Sequence, residues 1–185
     1  SVIQSLNKRV NYLIIYGPRK SGKTSIANKY SKDFNINVIR EIPKELYIKK
    51  ETYLDLNNLP ATDENFFHFL QHFTSNNIPL TIFTSENSIE NLSDNFYLPD
   101  IASRLRLFNL CNIQNPDKDL LFKLINKYLS LKSITVQDQI ITEVIKYIER
   151  TYLAAYEAAK TINHLLYDNN HNINLSLIRK HYEQI

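Results

Sequence analysis

The chain has 185 residues, 43% hydrophobic and 22% charged, enough for one full core or a core domain with a small satellite. A formal net charge of +3 permits contact with nucleic acid without demanding it, because no dense Lys/Arg block occurs. No apolar stretch reaches the roughly 18 residues that span a bilayer, no signal segment opens the chain, and the single cysteine excludes an internal disulfide and fits a reducing, cytoplasmic setting.

Residues 2–6 read as the end of a helix. Residues 11–16, an apolar and β-rich run, read as a buried strand. Next comes Gly17-Pro18-Arg19-Lys20-Ser21-Gly22-Lys23-Thr24, which matches G-x-x-x-x-G-K-[ST], the phosphate-binding loop of nucleotide-binding proteins. The glycine placement strengthens the match. Average usage would put about thirteen glycines in a chain this long; the two that are present both stand where the motif needs them. Residues 23–30 have helical spacing, so strand, loop and helix follow in the required order. A helix N-terminus there aims its partial positive charge at phosphate. The expected phosphate-binding residues are Gly17, Pro18, Arg19, Lys20, Ser21, Gly22, Lys23, Thr24 and Ser25. Lys23 reaches the β- and γ-phosphates, and the Thr24 hydroxyl reaches Mg²⁺.

Further strands are predicted over residues 37–40 and 52–56. Asp55 closes the apolar piece Tyr53-Leu54 of the second and is the candidate metal-holding carboxylate. Leu54 and Leu56 flank it, so the usual second acid is missing, and a surface Asp beside the Asn57-Asn58 turn is the competing reading. Pro60-Ala61-Thr62-Asp63 provides turn and N-cap chemistry for an aromatic helix over residues 64–75. His68 and His72 stand four apart on it, but Phe69 replaces the glutamate of a zinc-protease helix, so no metal is expected there. The phenylalanines of this helix read as core. A strand over 80–85 ends in Thr84 and Ser85, either a plain strand exit or small polar groups for the γ-phosphate or attacking water. Residues 99–105 suit a short helix with Pro99 in its first turn, and 107–113 a fifth strand with Cys111 as a small core residue. Strands alternating with helices argue for a parallel α/β sheet.

The texture changes at Asn115-Pro116-Asp117. Residues 117–131, 135–150, 152–167 and 175–182 all carry i, i+3, i+4 apolar spacing, with a loop over 168–172. The expected organisation is an α/β nucleotide-binding domain over residues 1–114 and an all-α lid over 115–185. His164, His171 and His181 read as surface residues.

A P-loop α/β domain with a helical lid resembles the AAA+ ATPases. Leu98-Pro99-Asp100-Ile101-Ala102-Ser103-Arg104-Leu105 is similar to the L-P-D-L-x-S-R-L segment of the DnaA/Hda family. The resemblance implies that ATP or ADP with Mg²⁺ is bound and that Arg104 reaches the nucleotide of a neighbouring subunit, a structural Arg–carboxylate pair being the competing reading. It also implies that Leu80–Ser85 carries the nucleotide-sensing polar group, here Ser85. It implies a DnaA-type initiator or another AAA+ subunit as partner, and sliding-clamp contact through a segment preceding Ser1. Neither sequence-specific DNA reading nor a membrane is implied. Where the family has a sensing arginine in the lid, the chain reads Tyr152-Leu153-Ala154-Ala155-Tyr156, with Arg150 out of register. The function implied is regulation of chromosomal replication initiation by promoting hydrolysis on ATP-loaded DnaA. The alternatives are a clamp- or helicase-loader ATPase and a degenerate scaffold that does not hydrolyse. With a single acid at Asp55, weak ATPase activity at most is expected.

Overall fold

A computed structural model describes residues 2–8, 10–60, 63–90, 98–170 and 172–183. Ala61, Thr62 and His171 lie outside the described residues. The chain divides into two compact units, Ser1–Gln114 and Asn115–Ile185.

The first unit runs α1 (Val2–Asn7), β1 (Tyr12–Gly17), α2 (Lys23–Phe34), β2 (Asn37–Ile39), β3 (Thr52–Asp55), α3 (Glu64–Ser75), β4 (Leu80–Ser85), α4 (Glu86–Glu90), α5 (Pro99–Leu105) and β5 (Asn109–Asn112). The strands form a five-stranded sheet in the order β2-β3-β4-β1-β5, and every pairing is parallel. A sheet covered on both faces needs apolar residues at successive positions. Leu13, Ile14 and Ile15 of β1 are accordingly buried, as are Leu80, Ile82 and Phe83 of β4. Strand alternation sorts them. Leu13, Ile15, Tyr53 and Phe83 join Ala27 of α2 in one core cluster. Ile14, Leu54, Leu80 and Ile82 join Phe66, Phe69, Leu70 and Phe73 of α3 and Ile101 and Leu105 of α5 in another. Phe66, Phe69 and Phe73 of the aromatic helix are therefore core and Phe67 is only partly buried, while Cys111, expected in the core, is half-buried against the α2 side.

Because β4 rather than β2 neighbours β1, the connections leaving β1 and β4 run to opposite faces. Such a switch point opens a crevice at the carboxyl ends of the two strands. The register puts Gly17 opposite Ser85 there.

The second unit comprises α6 (Lys118–Ser130), α7 (Asp138–Val144), α8 (Tyr152–Asp168) and α9 (Leu175–Glu183). Side chains cap three of the starts: the Asp117 carboxylate accepts from Leu120 N at 2.8 Å, the Thr151 hydroxyl from Ala154 N at 3.0 Å and the Asn174 amide oxygen from Leu177 N at 2.9 Å. Leu121, Ile125 and Leu129 of α6 meet Ala155, Ala158, Ala159 and Ile162 of α8, with Ile141 and Val144 of α7 and Ile178 of α9. Glu143 ties α7 to α9. Its carboxylate accepts from Lys146 Nζ at 2.7 Å and from Arg179 Nε at 2.8 Å. These cations hold its pKa at about 2, well below the ordinary carboxylate value. His164 lies 3.2 Å from the Asp168 carboxylate on exposed surface.

Three elements differ from the sequence reading. Helix α7 is shorter than residues 135–150, because Lys146 N and Tyr147 N bond three residues back and close it in a tight turn. Ile145 and Ile148 still pack on the core; apolar spacing records burial, and here burial outlasts the helix. Strand β5 starts later than residue 107, because Leu107 N and Phe108 N bond back to Arg104 O and Leu105 O. Helix α4 forms in a largely polar pentapeptide, too short to carry a periodic signal. Among the described residues, no helix is long and apolar enough to cross a membrane.

Candidate phosphate-binding site

The loop from β1 to α2 is shaped at two points. A Cβ on Gly17 would stand 2.8 Å from the Ile113 Cβ and 2.9 Å from its carbonyl oxygen. Gly22 sits at φ 89°, in the left-handed region that favours glycine, and has open space around it. No side chain caps α2, so its first-turn amides are available to an anion.

Lys23 opens α2 and folds back over the loop. Its Nζ donates to Gly17 O at 2.8 Å and to Pro18 O at 2.9 Å, and lies 3.4 Å from Ser21 Oγ. Two carbonyls thus orient the ammonium, and the third contact is long. Partial burial lowers the Lys23 pKa, while the charges of Asp55 and Glu86 oppose that shift. A partly desolvated ammonium gains from an anionic partner. Thr24 and Ser25 stand on the first turn of α2, where Ser25 is exposed.

The half-buried Asp55 ends β3, paired with Phe83. Ser85 ends β4; its hydroxyl donates to Asn58 Oδ1 at 3.1 Å and lies 3.2 Å from Ser88 Oγ. The buried Thr84 hydroxyl donates to Asn57 O at 3.3 Å. Gly17, Ser85 and Asp55 therefore end three adjacent strands, with Lys23 charge-coupled to Asp55. Glu86 escaped the sequence reading. Its signal was present, an acid directly after the polar strand end Thr84-Ser85, but only sheet pairing sets it near Lys23.

Arg104 stands apart. It lies in the last turn of α5, which leads into the start of β5. Its Nη1 donates to Thr74 Oγ1 at 2.9 Å, and its guanidinium lies 5.1 Å from the Phe67 ring centroid. Thr74 belongs to the end of α3, which leads into β4. Arg104 is thus at the amino end of the sheet, while the loop is at the carboxyl end. The six residues of β1, five steps of about 3.3 Å from first to last, separate those ends by roughly 16 Å. No carboxylate pairs with Arg104 among the described residues.

The sheet order, the loop and the helices that follow define the fold of P-loop AAA+ ATPase domains. No family model and no curated protein sequence matches the chain. Among solved structures it is similar to domain III of the Thermotoga maritima replication initiation protein DnaA (TM-score 0.72, 13% identity, covering 96% of this chain and 86% of that one). It is also similar to the Thermotoga maritima RuvB Holliday junction branch migration motor (TM-score 0.67, 16% identity, 98% of this chain) and to AMPPCP-bound DnaA from Aquifex aeolicus (TM-score 0.62, 14% identity, 92% of this chain). The chain spans 64% of the RuvB chain and 60% of the Aquifex DnaA chain.

Proposed function

We propose that this chain binds ATP or ADP with Mg²⁺ in the loop from Gly17 to Ser25. In this reading it acts as a DnaA/Hda-type AAA+ protein, docking on an ATP-loaded DnaA-type initiator and promoting hydrolysis there. The observation that carries the reading is the tethering of Lys23 by the Gly17 and Pro18 carbonyls, beside an uncapped helix N-terminus. Such a cradle suits a polyphosphate. The Thr24 hydroxyl and the Asp55 carboxylate are hard oxygen donors of the kind Mg²⁺ takes. Bound there, the cation would neutralise phosphate charge. The position of Arg104 supports action on another subunit, since its own loop is at the far end of the sheet. A guanidinium fork suits a γ-phosphate oxygen pair.

The test is nucleotide titration of the wild type and Lys23→Ala. Tight binding lost in the variant supports the reading; equal affinities reject it. For the partner, the chain is added to ATP-loaded DnaA with and without sliding clamp. Stimulated hydrolysis that disappears with Arg104→Ala supports docking, and no stimulation under either condition rejects it.

A second reading, a loader-type ATPase that turns over alone, is favoured by Glu86, a second acid that opens α4 directly after the Ser85 strand end. Steady-state hydrolysis by the isolated chain far above background would select it.

A further inference from the structure

We infer that Thr74 and Phe67 of α3 are positioning residues. They hold Arg104 away from the acid of its own helix, Asp100, so that the guanidinium meets an anionic group of a docked partner with its charge unspent. This rests on the proposal that Arg104 acts on a neighbouring subunit.

Asp100 and Arg104 stand four apart on α5, acid first. At that spacing opposite charges on a helix ordinarily pair. Here Arg104 pairs with no carboxylate among the described residues. Its guanidinium crosses to α3 instead, where Nη1 donates to Thr74 Oγ1 at 2.9 Å and the charge lies 5.1 Å from the Phe67 ring centroid. Phe67 and Thr74 are two turns apart on one face of α3. The shared core of α3 with Ile101 and Leu105 of α5 keeps that face beside Arg104.

The direction of each bond is fixed. A guanidinium only donates. Thr74 Oγ1 lies 2.8 Å from Leu70 O and 3.3 Å from Gln71 O, and carbonyls only accept. The Thr74 proton is therefore committed to its own helix, and a lone pair is left for Arg104.

Both anchors are neutral, which is the point of the arrangement. A carboxylate would bind the guanidinium by a charge-assisted, bidentate pair and cancel the charge that an incoming anion needs. A hydroxyl and a ring face orient the guanidinium and leave its charge in place. The exposed Asp100 is the competitor one turn away. Without the Thr74 hydroxyl, the half-buried Arg104 turns to it.

The experiment adds increasing amounts of the chain to ATP-loaded DnaA. It reads two quantities, the maximal hydrolysis rate and the concentration that gives half of it. Thr74→Val keeps the shape and removes the acceptor. It is expected to lower the maximal rate about fivefold, the weight of one oriented hydrogen bond, at unchanged half-maximal concentration. Thr74→Ser, which keeps the hydroxyl, should match the wild type. Adding Asp100→Asn to Thr74→Val should restore most of the lost rate, which a loosened fold would not do. Phe67→Leu keeps the hydroxyl and loses the ring face. It should show the same loss and the same recovery with Asp100→Asn, and so stands in if Thr74→Val does not fold. A wild-type rate in Thr74→Val, or a loss that Asp100→Asn leaves in place, overturns the inference. Stimulation that needs Arg104 but ignores Thr74 and Phe67 overturns the inference alone. A wild type that stimulates nothing overturns the proposed action of Arg104 with it.

Discussion

Gly17 and Ile113 leave no room for a methyl group between them. The missing Cβ would stand 2.8 Å from Ile113 Cβ and 2.9 Å from Ile113 O, and Ile113 N is itself fastened to Tyr16 O at 2.7 Å. Gly17→Ala should therefore destabilise the first unit by about 1–3 kcal/mol, the usual cost of overpacking. Trimming the neighbour with Ile113→Ala should not rescue it, because alanine keeps both clashing atoms, the Cβ and the carbonyl oxygen. Denaturant unfolding of the single and double variants checks both statements, and full rescue would contradict the geometry.

Gly22 presents the opposite case. Space is open, and the backbone at φ 89° is the constraint. Gly22→Ala should cost about 1–2 kcal/mol from backbone strain alone. Asn, which tolerates the left-handed region, should cost less, and β-branched Val more. At Gly17 the ranking should follow side-chain size. The same unfolding measurements separate the two patterns.

Arg104 should matter to the fold locally and to its own loop not at all. Arg104→Ala gives up the contact with the Phe67 ring, worth about 0.5–1 kcal/mol, and the hydrogen bond to Thr74, worth about 1 kcal/mol. A modest fall in unfolding midpoint with unchanged nucleotide affinity is expected. An affinity that drops with Arg104→Ala would mean that the arginine acts on its own loop.

The second unit should be sensitive to acid through Glu143. Its pKa is depressed from 4.5 to about 2 by the Arg179 and Lys146 hydrogen bonds. A group depressed on folding contributes stability above its unfolded pKa and loses it as pH falls through the folded one. That contribution should be whole above about pH 4.5 and fade toward pH 2. Comparing unfolding midpoints of the wild type and Glu143→Gln from about pH 2 to about pH 6 is the check. The wild-type advantage should shrink through that window, and a constant difference would remove Glu143 as the cause.

The class of fold was legible in the chain because its signals are short-range. The apolar run of β1 and the 3.6-residue spacing of α3 and α8 report which side chains are buried, and burial follows local periodicity. The tight loop from β1 to α2 was legible because two glycines in a glycine-poor chain mark backbone demands that neighbouring residues set. The extent of α7 and the start of β5 were not legible, because there apolar spacing and backbone hydrogen bonding part company.

By itself, then, the amino-acid order determined the succession of elements apart from α4, the loop with its lysine, and the aromatic helix as a core element. Only tertiary structure decided that β4 lies between β3 and β1. That pairing brings Ser85 opposite Gly17, sets Glu86 near Lys23, joins Ser88 to Leu59, and leaves Arg104 at the far end of the sheet. The reason is physical. Periodicity is set by dihedral angles a few residues wide, whereas these neighbours are chosen by strand pairing between segments dozens of residues apart, which no local pattern records.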